Sequence, residues 1–236
     1  MNINNEKIGG IFMKFICRHW YNIGGVVAIG AIAYLAIFWG QLDMLVRLQL
    51  MSFIAILIHQ FEEYGFPGGE PAIMNMVLRK SDMPDRYPLN QLSAMVTNVG
   101  AAYTCYLIPV FLPNVIWLGL MPMLFGFSQF LVHGIMTNKK MKSIYNPGLG
   151  AVVFLHYPVG IYYIYYIVSN ELVMVSDWIF SVVYTFAVAA IFVNGVTYKI
   201  MPNKNTKYVF DKVEMERFNV KKKLEKITNP CSECRK

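Results

Sequence analysis

Charge is scarce in this chain. Asp, Glu, Lys and Arg make up only 15% of its 236 residues, where a soluble domain carries about 25%. That shortage, beside 56% apolar residues, excludes an ordinary water-soluble globule. Cysteine is scarce as well. Of the four, Cys105 lies inside an apolar run and Cys17, Cys231 and Cys234 lie outside the apolar blocks. The charge pattern below assigns those three to the reducing side of a membrane, so no disulfide framework is expected. The single CxxC at Cys231 and Cys234 lacks the second pair of ligands that a zinc site requires. No repeat of about 20 to 50 residues is present, which excludes a solenoid, and no Gly/Ser-rich linker divides the chain.

What the chain has instead is six long apolar blocks, roughly 21–40, 44–63, 91–112, 114–136, 147–169 and 177–199. Each is close to the about 20 helical residues that cross a hydrocarbon core ~30 Å thick. The blocks are near-continuously apolar rather than alternating with period two, which favours helices over a barrel. The expected fold class is all-α, a polytopic bundle of about six transmembrane helices in residues 1–200, with a basic tail at 201–236. The first block imitates a signal peptide, but five further spans favour an uncleaved helix.

The net charge of +7 invites a nucleic-acid reading, and its distribution removes it. Lys7, Lys14 and Arg18 precede the first block, Arg79, Lys80 and Arg86 follow the second, and Lys139, Lys140 and Lys142 follow the fourth. The other three connections hold no Lys or Arg, while Glu171 and Asp177 occupy the last of them. This alternation predicts both termini in the cytosol of a multi-pass protein of the cytoplasmic membrane. The partners expected are therefore the bilayer and, at the tail, anionic lipid head groups. Val213, Val220, Leu224 and Ile227 are spaced for one helical face amid Lys221, Lys222 and Lys223, which predicts an amphipathic helix lying on lipid. The loop at 64–90 is predicted to hold a second interfacial helix, burying Ile73, Met76 and Val77 and leaving Arg79 and Lys80 near lipid phosphates.

The polar residues inside the blocks, Arg47 apart, all fall in the cytosolic half of the bilayer. His59, Glu62 and Glu63 close the second block, and spacings of three and four put both carboxylates on the histidine's face. The apolar run before them, Leu48 to Ile58, covers only about 16 Å, so the helix must carry His59 below the hydrocarbon boundary. Counted from the cytosolic ends, His133 and Asn194 lie about 6 Å in, Asn98 about 10 Å and His156 about 13 Å, with Gln129 one turn deeper than His133. Arg47 stands apart at the outer end as a snorkelling anchor. Polar groups at such depth are costly and face a bundle interior. Imidazole and carboxylate suit a first-row divalent ion, zinc, iron or manganese. His59, Glu62 and His133 are the expected ligands, with Glu63 as general base and Asn98 positioning a substrate. Gln129, His156 and Asn194 would line the site. Simpler readings stand beside this one: carboxylates paired with Arg79 or Lys139, and a His156 that bonds a carbonyl freed by Pro158.

"HQFEE" at 59–63, the histidine in "QFLVHGIMTN" at 129–138 and "YNPG" at 145–148 together resemble the HxxEE family of integral membrane proteins. The resemblance covers about residues 50 to 170. It implies significance for His59, Glu62, Glu63, His133, Tyr145, Pro147 and Gly148, and implies no reaction, because that family is functionally uncharacterised. The residues themselves favour a metal-dependent membrane hydrolase or transferase acting on a lipid or lipid-linked substrate at the cytosolic leaflet. A carrier of protons, metal ions or a small solute is the alternative, opposed by an outer half that offers few polar groups apart from Arg47. A non-catalytic scaffold working through its tail leaves the intramembrane histidines without a purpose.

Overall fold

The computed structural model describes residues 2–228; the CxxC at Cys231 and Cys234 lies outside the described residues. Six helices are long and apolar enough to cross a membrane: α1 (Gly9–Gln41), α2 (Met44–Tyr64), α4 (Gln91–Phe111), α5 (Ile116–Met141), α6 (Leu149–Ser169) and α7 (Val175–Ile200). A short helix α3 (70–78) lies between α2 and α4, and α8 (Lys212–Glu216) and α9 (Val220–Thr228) follow the last span. No strand occurs among the described residues.

Helix ends are written in the local sequence. Gly65 closes α2 by donating to the Phe61 carbonyl at 2.7 Å, and Gly68 and Gly69 turn the chain with positive φ. Asn90 and Ser93 form a reciprocal cap at the start of α4, each backbone N–H donating to the other's side chain at 3.0 Å. Four spans widen into π-helical turns, among them Leu131–Thr137, Val152–His156 and Ala189–Ile200. Such turns recur at functional sites because they re-aim side chains without ending the helix.

α2 is the central element. Its Leu50, Phe53, Ile54, Ile56 and Leu57 pack on Ala102, Cys105 and Tyr106 of α4, Met121 and Phe125 of α5, and Val188 of α7. Nearer the start of α2, Leu45 and Leu48 meet Ile116, Leu120 and Met123 of α5 and Val159, Tyr163 and Ile167 of α6. The reverse pattern covers the outside of the bundle. Val26, Ile29, Phe154, Ile161, Phe180, Phe186 and Ile191 are exposed, an apolar belt of the kind that lipid rather than water tolerates.

The loop and tail differ from their expected placement on lipid. Ile73 and Val77 are buried in a protein core with Met141 and Val220, and Leu224 packs on its edge. Met76 is partly buried against the same core, and Arg79 lies over the Tyr198 ring at 4.1 Å. The two amphipathic elements cover each other's apolar faces, while Val213 is exposed. The segment after α7 returns across the ends of the spans that carry Tyr64 and Gln91. Gln91 N–H donates to the Tyr208 carbonyl at 3.0 Å and Phe210 N–H to the Asp85 carbonyl at 2.9 Å. Gln91 also donates to Glu214 at 2.9 Å, Lys204 pairs with Asp82 and Arg18 with Asp211. The Arg217 guanidinium donates to the carbonyl of Tyr64, the last residue of α2, and to the Tyr21 hydroxyl.

A candidate metal centre

Three side chains from two spans converge beneath this cover. His59 and Glu63 of α2 and His133 of α5 are buried, with one ligand atom from each lying within 4.8 Å of the others. His59 Nε2 stands 3.3 Å and His133 Nε2 3.2 Å from the same Glu63 oxygen. The imidazole rings are perpendicular, 5.0 Å between centres.

The far side of each ring settles its tautomer. His59 Nδ1 meets the Gly148 carbonyl at 3.0 Å, and His133 Nδ1 meets Asn146 Oδ1 at 2.7 Å. Asn146 has its amide turned by two other bonds, Nδ2 donating to the His133 carbonyl at 2.7 Å and to Asn138 Oδ1 at 2.8 Å. Both partners of the imidazoles are thus acceptors only, so both Nδ1 atoms carry hydrogen. Each neutral ring then aims an Nε2 lone pair at a carboxylate oxygen. Three electron-rich atoms cannot share so small a space without a positive charge among them. Protons on the imidazoles would supply it, and so would a metal ion. The spacing suits the ion, since ligands about 2.1 Å from a tetrahedral zinc stand about 3.4 Å apart. Oxygen acceptors behind both imidazoles are the arrangement that orients metal-binding histidines.

Glu62, expected among the ligands, faces elsewhere. Its Oε1 accepts from the Tyr145 hydroxyl at 2.7 Å and Gly150 N–H at 3.0 Å, and its Oε2 accepts from Ala151 N–H at 2.7 Å. The carboxylate therefore caps the first turn of α6, where free amides and the helix dipole favour an anion. Glu63, expected as general base, is the carboxylate grouped with the two imidazoles. Glu62→Ala is expected to strand these donors and lower stability by about 2–4 kcal/mol. A fall of about 4 °C or more in the unfolding temperature checks this, with the metal content of the folded protein unchanged.

The YNPG stretch builds the second half of the centre. Pro147 and Gly148 are buried, and Gly148 holds φ +98°. A Cβ there would lie 2.7 Å from His133 Cε1 and 3.0 Å from His59 Cε1, so glycine alone fits between the two rings. Asn146, given no role from the sequence, is fully buried and binds His133 through both ends of its amide. Its position inside the motif was the available signal.

A cavity of about 590 Å³ opens beside the triad, lined by His59, Glu63, Glu70, His133, Asn98 and Gln129 among others. Asn194 lines it from α7 and donates to its own helix at the Ala189 carbonyl. Asn98 has its amide on the Ala94 carbonyl at 3.0 Å, and its backbone carbonyl accepts from Gln60 at 2.9 Å. His156 is buried with its ring 5.6 Å from His59, in space left by Gly126. Its Nε2 has no partner among the described residues.

Glu70 was not expected. It sits at the start of α3, buried, with Oε2 unpartnered among the described residues. Burial, then the nearby Glu63 charge, pushes its carboxyl well above the usual carboxylate range. Gln49 and Ser52 are likewise buried and unpartnered among the described residues. They extend the His59 face of α2 toward its other end, at the three- and four-residue spacing that keeps side chains in line.

No curated protein and no solved structure matches this chain. Residues 50–163, the stretch that carries the two histidines, both adjacent glutamates and YNPG, match the family described as a protein of unknown function with HXXEE motif.

Proposed function

We propose that the protein is a membrane-embedded, metal-dependent hydrolase or transferase acting on a lipid or lipid-linked substrate at the cytosolic leaflet. The observation that carries this reading is the convergence of two Nε2 lone pairs and one Glu63 oxygen on a single point. His59, His133 and Glu63 would hold the ion, a two-histidine, one-carboxylate set used for zinc and for non-haem iron. Such an ion supplies Lewis acidity and a nucleophile at neutral pH.

The remaining chemistry belongs to the chain. Gly148 and Asn146 keep the imidazoles in the Nδ1–H tautomer. Glu62 and Tyr145 fix the loop that carries both. With Glu63 committed to the ion, Glu70 Oε2 is the acid–base group facing the cavity, and it holds or releases a proton at the reacting atom. The apolar walls exclude water and fit acyl chains. The Lys and Arg distribution supports both termini on the cytosolic side of the cytoplasmic membrane, with the basic tail against anionic head groups.

Elemental analysis of gently purified protein tests this. Wild type is expected to carry near-stoichiometric zinc, iron or manganese, and His59→Ala/His133→Ala to carry none. Metal-free wild type would remove the proposal's basis. Gln49 and Ser52 favour a second reading, transport of the ion itself, by supplying polar groups along α2 beyond the centre. Metal uptake into proteoliposomes, abolished by Gln49→Leu/Ser52→Ala, would select it.

A further inference from the structure

The cavity has a side as well as a floor. α5 and α7 pack together along 116–130 and 175–188, then separate, with no comparable packing between 131–137 and 189–200. The cavity fills that gap. Ser128, Val132 and Met136 line it from α5, and Ala189 and Val193 from α7. Outside the gap, Leu131, Ile135 and Ile191 present exposed apolar surface, so its flanks fit hydrocarbon rather than water.

The lining is graded in polarity. The His–Glu cluster with Glu70 occupies the middle, and the end deeper along α2, α4 and α5 is apolar, including Ile56, Tyr106 and Phe125. Arg79 and Lys140, both exposed, complete the lining where α3 and α5 end. Neither cation has a carboxylate partner within 4 Å among the described residues. Lys140 stands seven residues beyond His133, about 10 Å along the helix. A ligand that follows this order therefore has an anion at one end, a shielded polar linkage about 10 Å away, and apolar substance beyond it.

We propose that the gap between α5 and α7 is a lateral portal through which a phospholipid with an acidic head group enters from the bilayer, its phosphate held by Arg79 and Lys140. This names the substrate class for the function proposed above and rests on that reading for its chemistry alone. The lipid's phosphate lies at the cytosolic rim and its acyl–glycerol linkages lie level with His59 and His133. The acyl chains leave between α5 and α7, because about 590 Å³ holds a head group and its linkages rather than a whole lipid.

Equilibrium binding to the full chain in detergent micelles tests the portal, using labelled phosphatidic acid and phosphatidylcholine of identical chains. Phosphatidic acid is expected to bind the tighter. Arg79→Gln/Lys140→Gln, two exposed positions that leave the packed core intact, is expected to weaken it about 30-fold, the combined attraction of two cations for anionic lipid. Phosphatidylcholine binding stays where it was. Val193→Trp, which fills the gap from α7, is expected to exclude both lipids while metal content stays at the wild-type value. Equal affinity for the two lipids would overturn the assignment, as would an unchanged double variant or full binding by Val193→Trp. Displacement of the lipid by millimolar inorganic phosphate would also overturn it, by marking a site for a soluble anion. Metal-free wild type that still binds phosphatidic acid would defeat the proposed function and leave the portal standing.

Discussion

Glu63→Gln protein is expected to lose its metal almost entirely. The substitution keeps the shape of the side chain and removes the only carboxylate that, among the described residues, lies within 4 Å of both imidazoles. Replacing the oxygen partner behind a metal-bound histidine costs about 10–100-fold in affinity, and loss of a directly coordinating charge costs more than about 100-fold. Elemental analysis of Glu63→Gln beside Glu62→Gln separates two adjacent residues of the same type. The first variant empties the centre, and the second keeps its metal and loses thermal stability. If Glu63→Gln retained wild-type metal and Glu62→Gln lost it, the ligand set derived from the geometry would be wrong and the order read from sequence spacing would be right.

Gly148→Ala is the second large effect, and it strikes both histidines at once. The backbone at φ +98° costs an alanine about 1–3 kcal/mol. The added methyl would also have to enter between His133 and His59, where contacts of 2.7 and 3.0 Å leave no room. The rings must part, or the carbonyl that orients His59 must withdraw. Metal content is expected to fall as far as in Glu63→Gln, together with a drop of several degrees in the unfolding temperature. Gly30→Ala is the control. A Cβ at Gly30 meets nothing within 4 Å, and alanine favours a helix interior by up to about 1 kcal/mol, so that variant is expected to unfold no earlier than wild type. A Gly148→Ala protein with full metal and unchanged melting would show that the rings are less constrained than their spacing implies.

Much of the architecture was legible because the bilayer imposes length and charge rules that survive in composition alone. Depth counted from the helix ends puts His59 and His133 at a similar level, and the structure brings their rings edge to face. Depth could not separate Glu62 from Glu63. One is three and the other four residues from His59, and both spacings satisfy the same helical face. The choice is made by residues 145–151, more than eighty positions away, which take Glu62 as a cap and leave Glu63 to the rings. The amphipathic elements show a different limit. An apolar face records that a helix leaves water and not what it meets, so Val220 and Leu224 read equally well against lipid or against Ile73 and Val77. Gln49 and Ser52 went unnoticed because single neutral polar residues scarcely dent a hydrophobic run, although burial without a partner marks them at once.

The cover formed by the tail has a consequence for how the protein is made. Every residue of the metal centre lies between positions 59 and 148, so its parts are synthesised and inserted while the last two spans are still to come. Arg217, which ties the end of α2 to Tyr21, and Phe218, whose ring meets Tyr145 at 5.8 Å, are added after all six spans. The floor beneath the site is therefore the last part to close. Until then that end of the bundle stands open, and the cluster of His59, Glu63 and His133 is complete before the segment that covers it has been added.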